Sequence, residues 1–258
     1  MNNLVRIAHA YGNNRKSLRI ALAARIDVIE ADVWFRNGDI FVHHESRLGP
    51  LPLLADKRMP GHPLPPLSLA LWSGYYVRPD VNAQRLTGVL EMVKGERRLL
   101  LDIKGDYRGA QISAFARTLI SKIAQHGASI WVAVCGQLWP VLHRLRELAP
   151  DLEVRYSVER PMQWERFIAM VERDDKARNI CIEHRFMSEG KARFLREHGV
   201  EAYCWTVDDA VAASRLVGMG ADGIISNDLE LLGALGDSSK GRRARNGRGA
   251  GSGALRWP

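Results

Sequence analysis

Residues 97–136, RRLLLDIKGDYRGAQISAFARTLISKIAQHGASIWVAVCG, contain two apolar runs separated by a segment of helical period. The runs at 97–105 and 129–136 have the length and composition of strands. The segment 111–127 has the spacing of an amphipathic helix and ends at Gly127. Continuous apolar strands joined by a helix are typical of a parallel sheet that helices cover on both faces. This stretch therefore predicts an α/β fold.

The same alternation continues on both sides of this unit. The predicted strands are 4–10, 27–35, 97–105, 129–136, 153–159, 179–186, 200–207 and 221–227. The predicted helices are 16–25, 111–127, 139–149, 162–175, 188–198 and 208–219. Eight strands with intervening helices predict a (β/α)8 TIM barrel. An open doubly wound sheet is the alternative, but no glycine-rich phosphate motif follows the first strand.

An interruption follows the second strand. Asn37-Gly38 is a turn pair that predicts a small hairpin insertion over 37–44. A proline-rich segment at about 49–66 comes next and is predicted to be a loop.

The net charge of +8 is concentrated at the C-terminus. Residues 236–258 contain six basic residues and one acidic residue among glycines and serines, which predicts a flexible, disordered basic tail. We therefore predict a barrel domain over 1–235 and a tail over 236–258. For the tail, a solubilising role and weak contact with an anionic membrane or RNA both remain open. We expect no specific nucleic-acid binding by the barrel.

The remaining sequence features favour a cytoplasmic location. No run of about 18 apolar residues is present, and MNNLVRIAHA lacks the pattern of a signal peptide. Cys135, Cys181 and Cys204 are odd in number, far apart and set in apolar segments. We predict that they are reduced core residues without a disulfide or metal role.

Polar side chains interrupt the early strands near their C-terminal ends, which form the active-site face of such a barrel. They are His9, Glu30, Asp32, His43, His44, Asp102 and Lys104. Three converging carboxylates need a neutralising partner, and oxygen ligands suit Mg²⁺ or Ca²⁺. A lysine could contact a phosphate, and two histidines could act as general acid and base. Salt-bridged acids and structural histidines are the alternative, so the residues alone indicate a metal-assisted hydrolase or lyase.

The ordered motifs resemble the glycerophosphodiester phosphodiesterase family. They are I-A-H at 7–9, I-E-A-D-V at 29–33, F-V-H-H-E-x-x-L at 41–48, L-D-I-K at 101–104, Y-C-W-T-V-D-D at 203–209 and G-A-D-G-I-I-S-N at 220–227. The resemblance spans about 4–235. It implies a TIM barrel, a divalent cation and hydrolysis of glycerophosphodiesters to glycerol 3-phosphate and an alcohol.

The resemblance also implies roles for individual residues. By position, the metal ligands are Glu30, Asp32 and Asp102, the catalytic histidines are His9 and His44, and the substrate contacts are Lys104 and Trp205. His44 is preferred to His43 because the family places the second histidine before an acidic residue, here Glu45. Core packing stays open as an alternative for Trp205.

Three departures make the N-terminal half similar to the sphingomyelinase D/phospholipase D toxin branch. Ala10 replaces the usual arginine, Gly12-Asn13-Asn14 stands where a Glu-Asn-Thr motif is usual, and Asp102 replaces glutamate. Asn13 or Asn14 would then supply a missing polar contact. The expected substrate is a small glycerophosphodiester. A phospholipase D-like enzyme for lysophospholipid or sphingolipid, or a non-catalytic barrel that binds a phosphate headgroup, is the alternative.

Overall fold

The computed structural model describes residues 4–48, 51–80, 84–173 and 177–236. Its strands are β1 (Val5–Ala8), β2 (Val28–Arg36), β3 (Asp39–Val42), β4 (Ser46–Arg47), β5 (Leu53–Lys57), β6 (Leu69–Ala70), β7 (Tyr75–Pro79), β8 (Gln84–Arg85), β9 (Arg98–Ile103), β10 (Val132–Gly136), β11 (Glu153–Val158), β12 (Asn179–Glu183), β13 (Glu201–Trp205) and β14 (Gly223–Ser226). The predicted tail lies outside the described residues, apart from Gly236.

Eight of these strands form a closed parallel barrel. Their order is β1-β14-β13-β12-β11-β10-β9-β2, and β1 pairs with β2 to complete the ring. At the closure, Ile7 is the register partner of both Val28 in β2 and Ile225 in β14. The predicted (β/α)8 barrel is therefore confirmed.

Helices cover the outside of the barrel. They are α1 (Arg15–Ala23), α2 (Leu86–Val93), α3 (Ala110–Gln125), α4 (Trp139–Leu148), α5 (Pro161–Arg173), α6 (Glu189–Glu197), α7 (Ala210–Met219) and α8, which covers 229–236. The six predicted helices are present, with ends that differ by at most two residues. The short helix α2 and the helix α8 were not predicted.

The apolar core has two layers. Inside the barrel, the strands contribute a small buried cluster that includes Ile7, Leu100, Tyr203 and Ile225. A larger cluster lies between the strands and the helices. The three cysteines are free and buried, which confirms their prediction as core residues.

The insertion after β2 is larger than the predicted hairpin. β2 and β3 form that hairpin around Asn37-Gly38, both at positive φ, and β8 pairs with β3. Between β3 and β8, strands β4, β5, β7 and β6 form a separate antiparallel sheet. The proline-rich segment that was predicted to be a loop contains β5. This strand was not predicted, because Leu53–Lys57 is too short for periodicity to distinguish it from the prolines around it.

None of the helices in the described parts of the chain is long and apolar enough to cross a membrane.

Candidate active site

Three carboxylates meet where the first half of β2 lies beside the C-terminal end of β9. Glu30 and Asp32 are two residues apart on β2, so their side chains leave the same side of the strand, and Asp102 is the register partner of Asp32. One oxygen from each of the three carboxylates lies within 4.8 Å of the others. Lys104 closes the group: its Nζ lies 2.9 Å from Asp32 Oδ1 and donates a hydrogen bond to Asp102 Oδ2. The structure therefore brings all three predicted metal ligands and the predicted phosphate contact together.

The charges in this cluster are unequally balanced. Burial and repulsion by Asp32 and Asp102 raise the pKa of Glu30 well above its ordinary value. Burial would also raise the pKa of Asp32, but the charge of Lys104 outweighs it and lowers that pKa to about 2. Burial would lower the pKa of Lys104, but Asp32 and Asp102 hold it well above its ordinary value. The single positive charge of Lys104 thus faces three carboxyl groups.

A divalent cation fits this imbalance. Glu30 Oε1 is buried and has no hydrogen-bond partner among the described residues. An unsatisfied carboxylate oxygen inside a protein is costly, and a cation with an all-oxygen ligand set would satisfy it. The donor set therefore suits a hard ion of the Mg²⁺ or Ca²⁺ type.

The loop after β1 holds the carboxylates in place. The backbone N–H of Ala10 donates to Glu30 Oε2 at 2.5 Å. The Asn13 side chain donates to Asp32 Oδ2 at 2.5 Å and accepts from the Asp32 backbone N–H at 2.8 Å. Gly12 permits this approach, because a Cβ at residue 12 would lie 2.4 Å from the Cβ of Ala31. Of the two asparagines considered from the sequence, only Asn13 contacts the cluster.

Asn14 has a different role. Its side chain accepts hydrogen bonds from the backbone N–H groups of Lys16 and Ser17 and so caps the N-terminus of α1.

His9 follows β1 and is oriented by the last strand. Its Nδ1 lies 2.9 Å from Asn227 Oδ1. Asn227 Nδ2 donates to Asp208 Oδ2 at 2.8 Å, which turns the amide oxygen towards His9. Because that oxygen only accepts, His9 Nδ1 must carry the proton and Nε2 is left free. Burial lowers the pKa of His9 below 6.5.

His44 is oriented by the insertion. Its Nδ1 forms a hydrogen bond with Asp56 Oδ2, and Asp56 belongs to β5. Burial would lower the pKa of His44, but the bond to Asp56 and the charges of Asp32 and Asp56 raise it above 6.5. The His44 and His9 rings are 6.0 Å apart, edge to face. The two predicted catalytic histidines thus lie together, with opposite pKa shifts.

His43 lies outside this group. Its ring stacks on Trp34 with centroids 5.3 Å apart, and its Nδ1 contacts the backbone oxygen of Glu45 at 2.9 Å. The Glu45 carboxylate is buried against Arg78, with Nε 2.6 Å from Oε1. The acidic residue that marks the second histidine in the sequence therefore pairs with Arg78 of β7, within the insertion.

A cavity of about 660 Å³ opens beside these groups. His9, His44 and Lys104 line this cavity, and Trp205 contributes to the lining at the end of β13. The indole Nε1 of Trp205 is buried and has no hydrogen-bond partner among the described residues. Trp205 also packs against the inner core cluster, so its role in the substrate cleft stays a prediction.

Sequence reasoning missed four residues around the histidines. Asp56 and His62 lie in the segment that was predicted to be a loop, and no spacing rule links them to the site. The His62 ring lies 4.1 Å from the ring of Tyr11, and burial with repulsion by His9 and His44 lowers its pKa to about 4. Asp208 and Asn227 were inside the quoted C-terminal motifs and could have been found from their position at strand ends.

Comparison with known proteins points to one family. The sequence model of the glycerophosphoryl diester phosphodiesterase family matches residues 11–231. A glycerophosphodiester phosphodiesterase of Arabidopsis thaliana is 32% identical over 59 residues, which are 23% of this chain and only 18% of the plant protein.

Solved structures share the fold at low sequence identity. A protein of Silicibacter pomeroyi has a TM-score of 0.73 at 17% identity, over 93% of this chain and 95% of that one. A glycerophosphodiester phosphodiesterase of Parabacteroides distasonis has a TM-score of 0.67 at 18% identity, over 93% and 99%. An Oleispira antarctica phosphodiesterase in complex with the product sn-glycerol-3-phosphate has a TM-score of 0.67 at 15% identity, over 90% and 96%.

Proposed function

Because this chain belongs to the glycerophosphoryl diester phosphodiesterase family, we propose that it hydrolyses glycerophosphodiesters to glycerol 3-phosphate and an alcohol. The observation that carries the proposal is the pairing of His9 and His44 across one cavity, beside a three-carboxylate cluster. The product bound to the Oleispira antarctica phosphodiesterase, sn-glycerol-3-phosphate, is the kind of product that we propose for this chain.

Glu30, Asp32 and Asp102 would hold the cation. When bound, a hard divalent ion supplies positive charge that polarises a phosphoryl oxygen. Lys104 adds a fixed cation, since Asp32 and Asp102 keep it protonated. Lys104 binds a phosphate oxygen and helps to orient the phosphate towards the two histidines.

His9 acts as the general base. Its Nδ1 proton is held by the neutral amide oxygen of Asn227, so Nε2 is unprotonated and can accept a proton from the attacking hydroxyl. The lowered pKa keeps this nitrogen free at neutral pH. The hydroxyl belongs either to water or to the glycerol 2-position. The second is favoured by its tether and would give a cyclic phosphate first, which water would then open to glycerol 3-phosphate.

His44 acts as the general acid. The Asp56 carboxylate stabilises the imidazolium, so Nε2 carries a proton that it can donate to the leaving alkoxide. The leaving alcohol would occupy the part of the cavity towards Trp205.

A substrate panel tests this function. We expect glycerophosphocholine and glycerophosphoethanolamine to release glycerol 3-phosphate with Mg²⁺ or Ca²⁺, and excess chelator to abolish turnover. Metal should also raise the melting temperature, because a ligand that binds only the folded state stabilises it.

His44→Ala should lose most of the activity, whereas the matched control His43→Ala should lose much less. Faster cleavage of lysophosphatidylcholine or sphingomyelin would favour the phospholipase D-like alternative. Metal binding without turnover on any substrate would favour the non-catalytic barrel. Full activity in chelator would refute the metal assignment.

A further inference from the structure

The insertion carries an exposed apolar surface that the proposed reaction does not use. Of the twelve large apolar side chains that are exposed in the described residues, seven lie between 48 and 75, and the other five are scattered over the barrel. We define the apolar tip as Leu67, Leu69, Leu71, Trp72 and Tyr75. Trp72 is fully exposed. Monomeric proteins rarely expose so many apolar side chains in one segment unless that segment binds a ligand, another protein or a membrane.

The sheet that bears the tip has two different faces. Asp56 and Tyr76 are register partners on the inner face, where Asp56 meets His44 and Tyr76 is buried. Lys57 and Tyr75 are register partners on the outer face, and both are exposed. The tip is therefore anchored, through its own sheet, at the same end of the barrel as the cavity.

The charge around the tip has one sign. Residues 57–78 contain no acidic residue. Lys57 and Arg58 are exposed, and the backbone N–H of Arg58 donates to the oxygen of Gly74, in the turn that bears Trp72, at 2.8 Å. The apolar side chains are thus flanked by cations.

We propose that the apolar tip docks on an anionic lipid surface. Tryptophan and tyrosine favour the membrane–water boundary because they combine an apolar ring with a polar group. Shallow insertion of a few apolar side chains becomes stable when basic residues add attraction to anionic headgroups. Leu69, Leu71 and Trp72 would supply the first contribution, and Lys57 and Arg58 the second. The surface would then lie at the end of the barrel where the cavity opens.

Vesicle sedimentation of the full chain tests the proposal. The vesicles contain phosphatidylcholine alone or phosphatidylcholine with phosphatidylglycerol. We expect binding to the mixed vesicles, and Trp72→Ser should weaken it by about tenfold or more, as for the loss of one large buried side chain. The matched control is Ile130→Ser, since Ile130 is 92% exposed at the opposite end of the barrel, before β10. It should change binding by less than about twofold, the usual range for a surface substitution.

A charge variant separates the two contributions. Arg58→Ala should weaken binding to the mixed vesicles and leave the weaker binding to phosphatidylcholine unchanged. Both Trp72→Ser and Arg58→Ala should keep the circular dichroism spectrum and the turnover of a water-soluble substrate.

Several outcomes would overturn the proposal. They are an absence of vesicle binding, an equal loss in Trp72→Ser and Ile130→Ser, and unchanged binding in Trp72→Ser, which would assign the binding to another surface such as residues 237–258. A dimer in solution that Trp72→Ser dissociates would assign the tip to a second copy of the chain instead.

Discussion

Asp56→Asn should change the protonation of His44, the proposed general acid, and leave the other residues of the site as they are. The substitution keeps the shape of the side chain and an oxygen that can accept the His44 Nδ1 proton, but it removes the charge. Without that charge, less opposes the effect of burial, and the pKa of His44 falls. The general acid must be protonated, so activity is present below this pKa and is lost as pH rises through it. The alkaline limb of the activity profile should therefore move to lower pH.

The structure sets the size of this effect. An opposite charge in contact shifts a pKa by about 1–3 units. The His44 and Asp56 side chains are 29% and 16% exposed, so solvent weakens their interaction and the lower part of that range, about 1–2 units, is expected. At a pH above the alkaline limb, kcat should fall by about 10–100-fold, because each unit removes a factor of ten in protonated His44. Well below that limb, kcat should change little.

The measurement is kcat for glycerophosphocholine across pH, with saturating cation. The matched control is Asp39→Asn. Asp39 is an ion-paired carboxylate of similar exposure, 20%, which contacts Lys122 away from the cavity. Its removal should leave the profile unchanged. An alkaline limb that stays in place in Asp56→Asn, or moves equally in Asp39→Asn, would refute the role given to Asp56.

Three further changes test the other parts of the site. His44→Ala should lower kcat by about 10²–10⁴-fold, the range for a lost general acid, whereas His43→Ala should cost much less; the reverse ranking in steady-state kinetics would contradict the geometry. Asn13→Ala removes both side-chain bonds to Asp32 and should weaken cation affinity by about 10–100-fold in a thermal-shift titration, so an unchanged affinity would count against it. Ala10→Arg puts a large side chain at a fully buried residue with φ of 59° and should lower activity on every substrate tested, and a gain on glycerophosphocholine would contradict this.

The barrel was predictable because its signals are local and repeated. Each strand is a short apolar run, and the helices between them keep their spacing, as in α3 and α4. The unpredicted helix α2 has eight residues and directly follows β8 in the insertion. The sheet of the insertion was missed because β4 and β6 have two residues each, too few for any alternation to appear.

The site was predictable in part for a different reason. Glu30 and Asp32 lie two residues apart on β2, and Lys104 follows Asp102 by two residues, directly after β9, so periodicity alone places each pair on one face. Asp56 meets His44 only through the insertion, and no periodicity connects the two residues. The sequence therefore predicted that the histidines belong to the site, but only the structure showed how they are oriented.

The partners of His9 lie at the other end of the chain. All the carboxylates of the candidate cation site, and Lys104, belong to the first 104 residues, whereas Asn227 follows the last strand, 218 residues after His9. Chains are synthesised from the N-terminus, so the carboxylates leave the ribosome long before the amide that fixes the His9 tautomer. A growing chain would thus acquire its cation ligands early and an oriented base only when the ring closes. The proposed cleavage would therefore require the closed barrel, because His9 is oriented only once β14 has paired with β1.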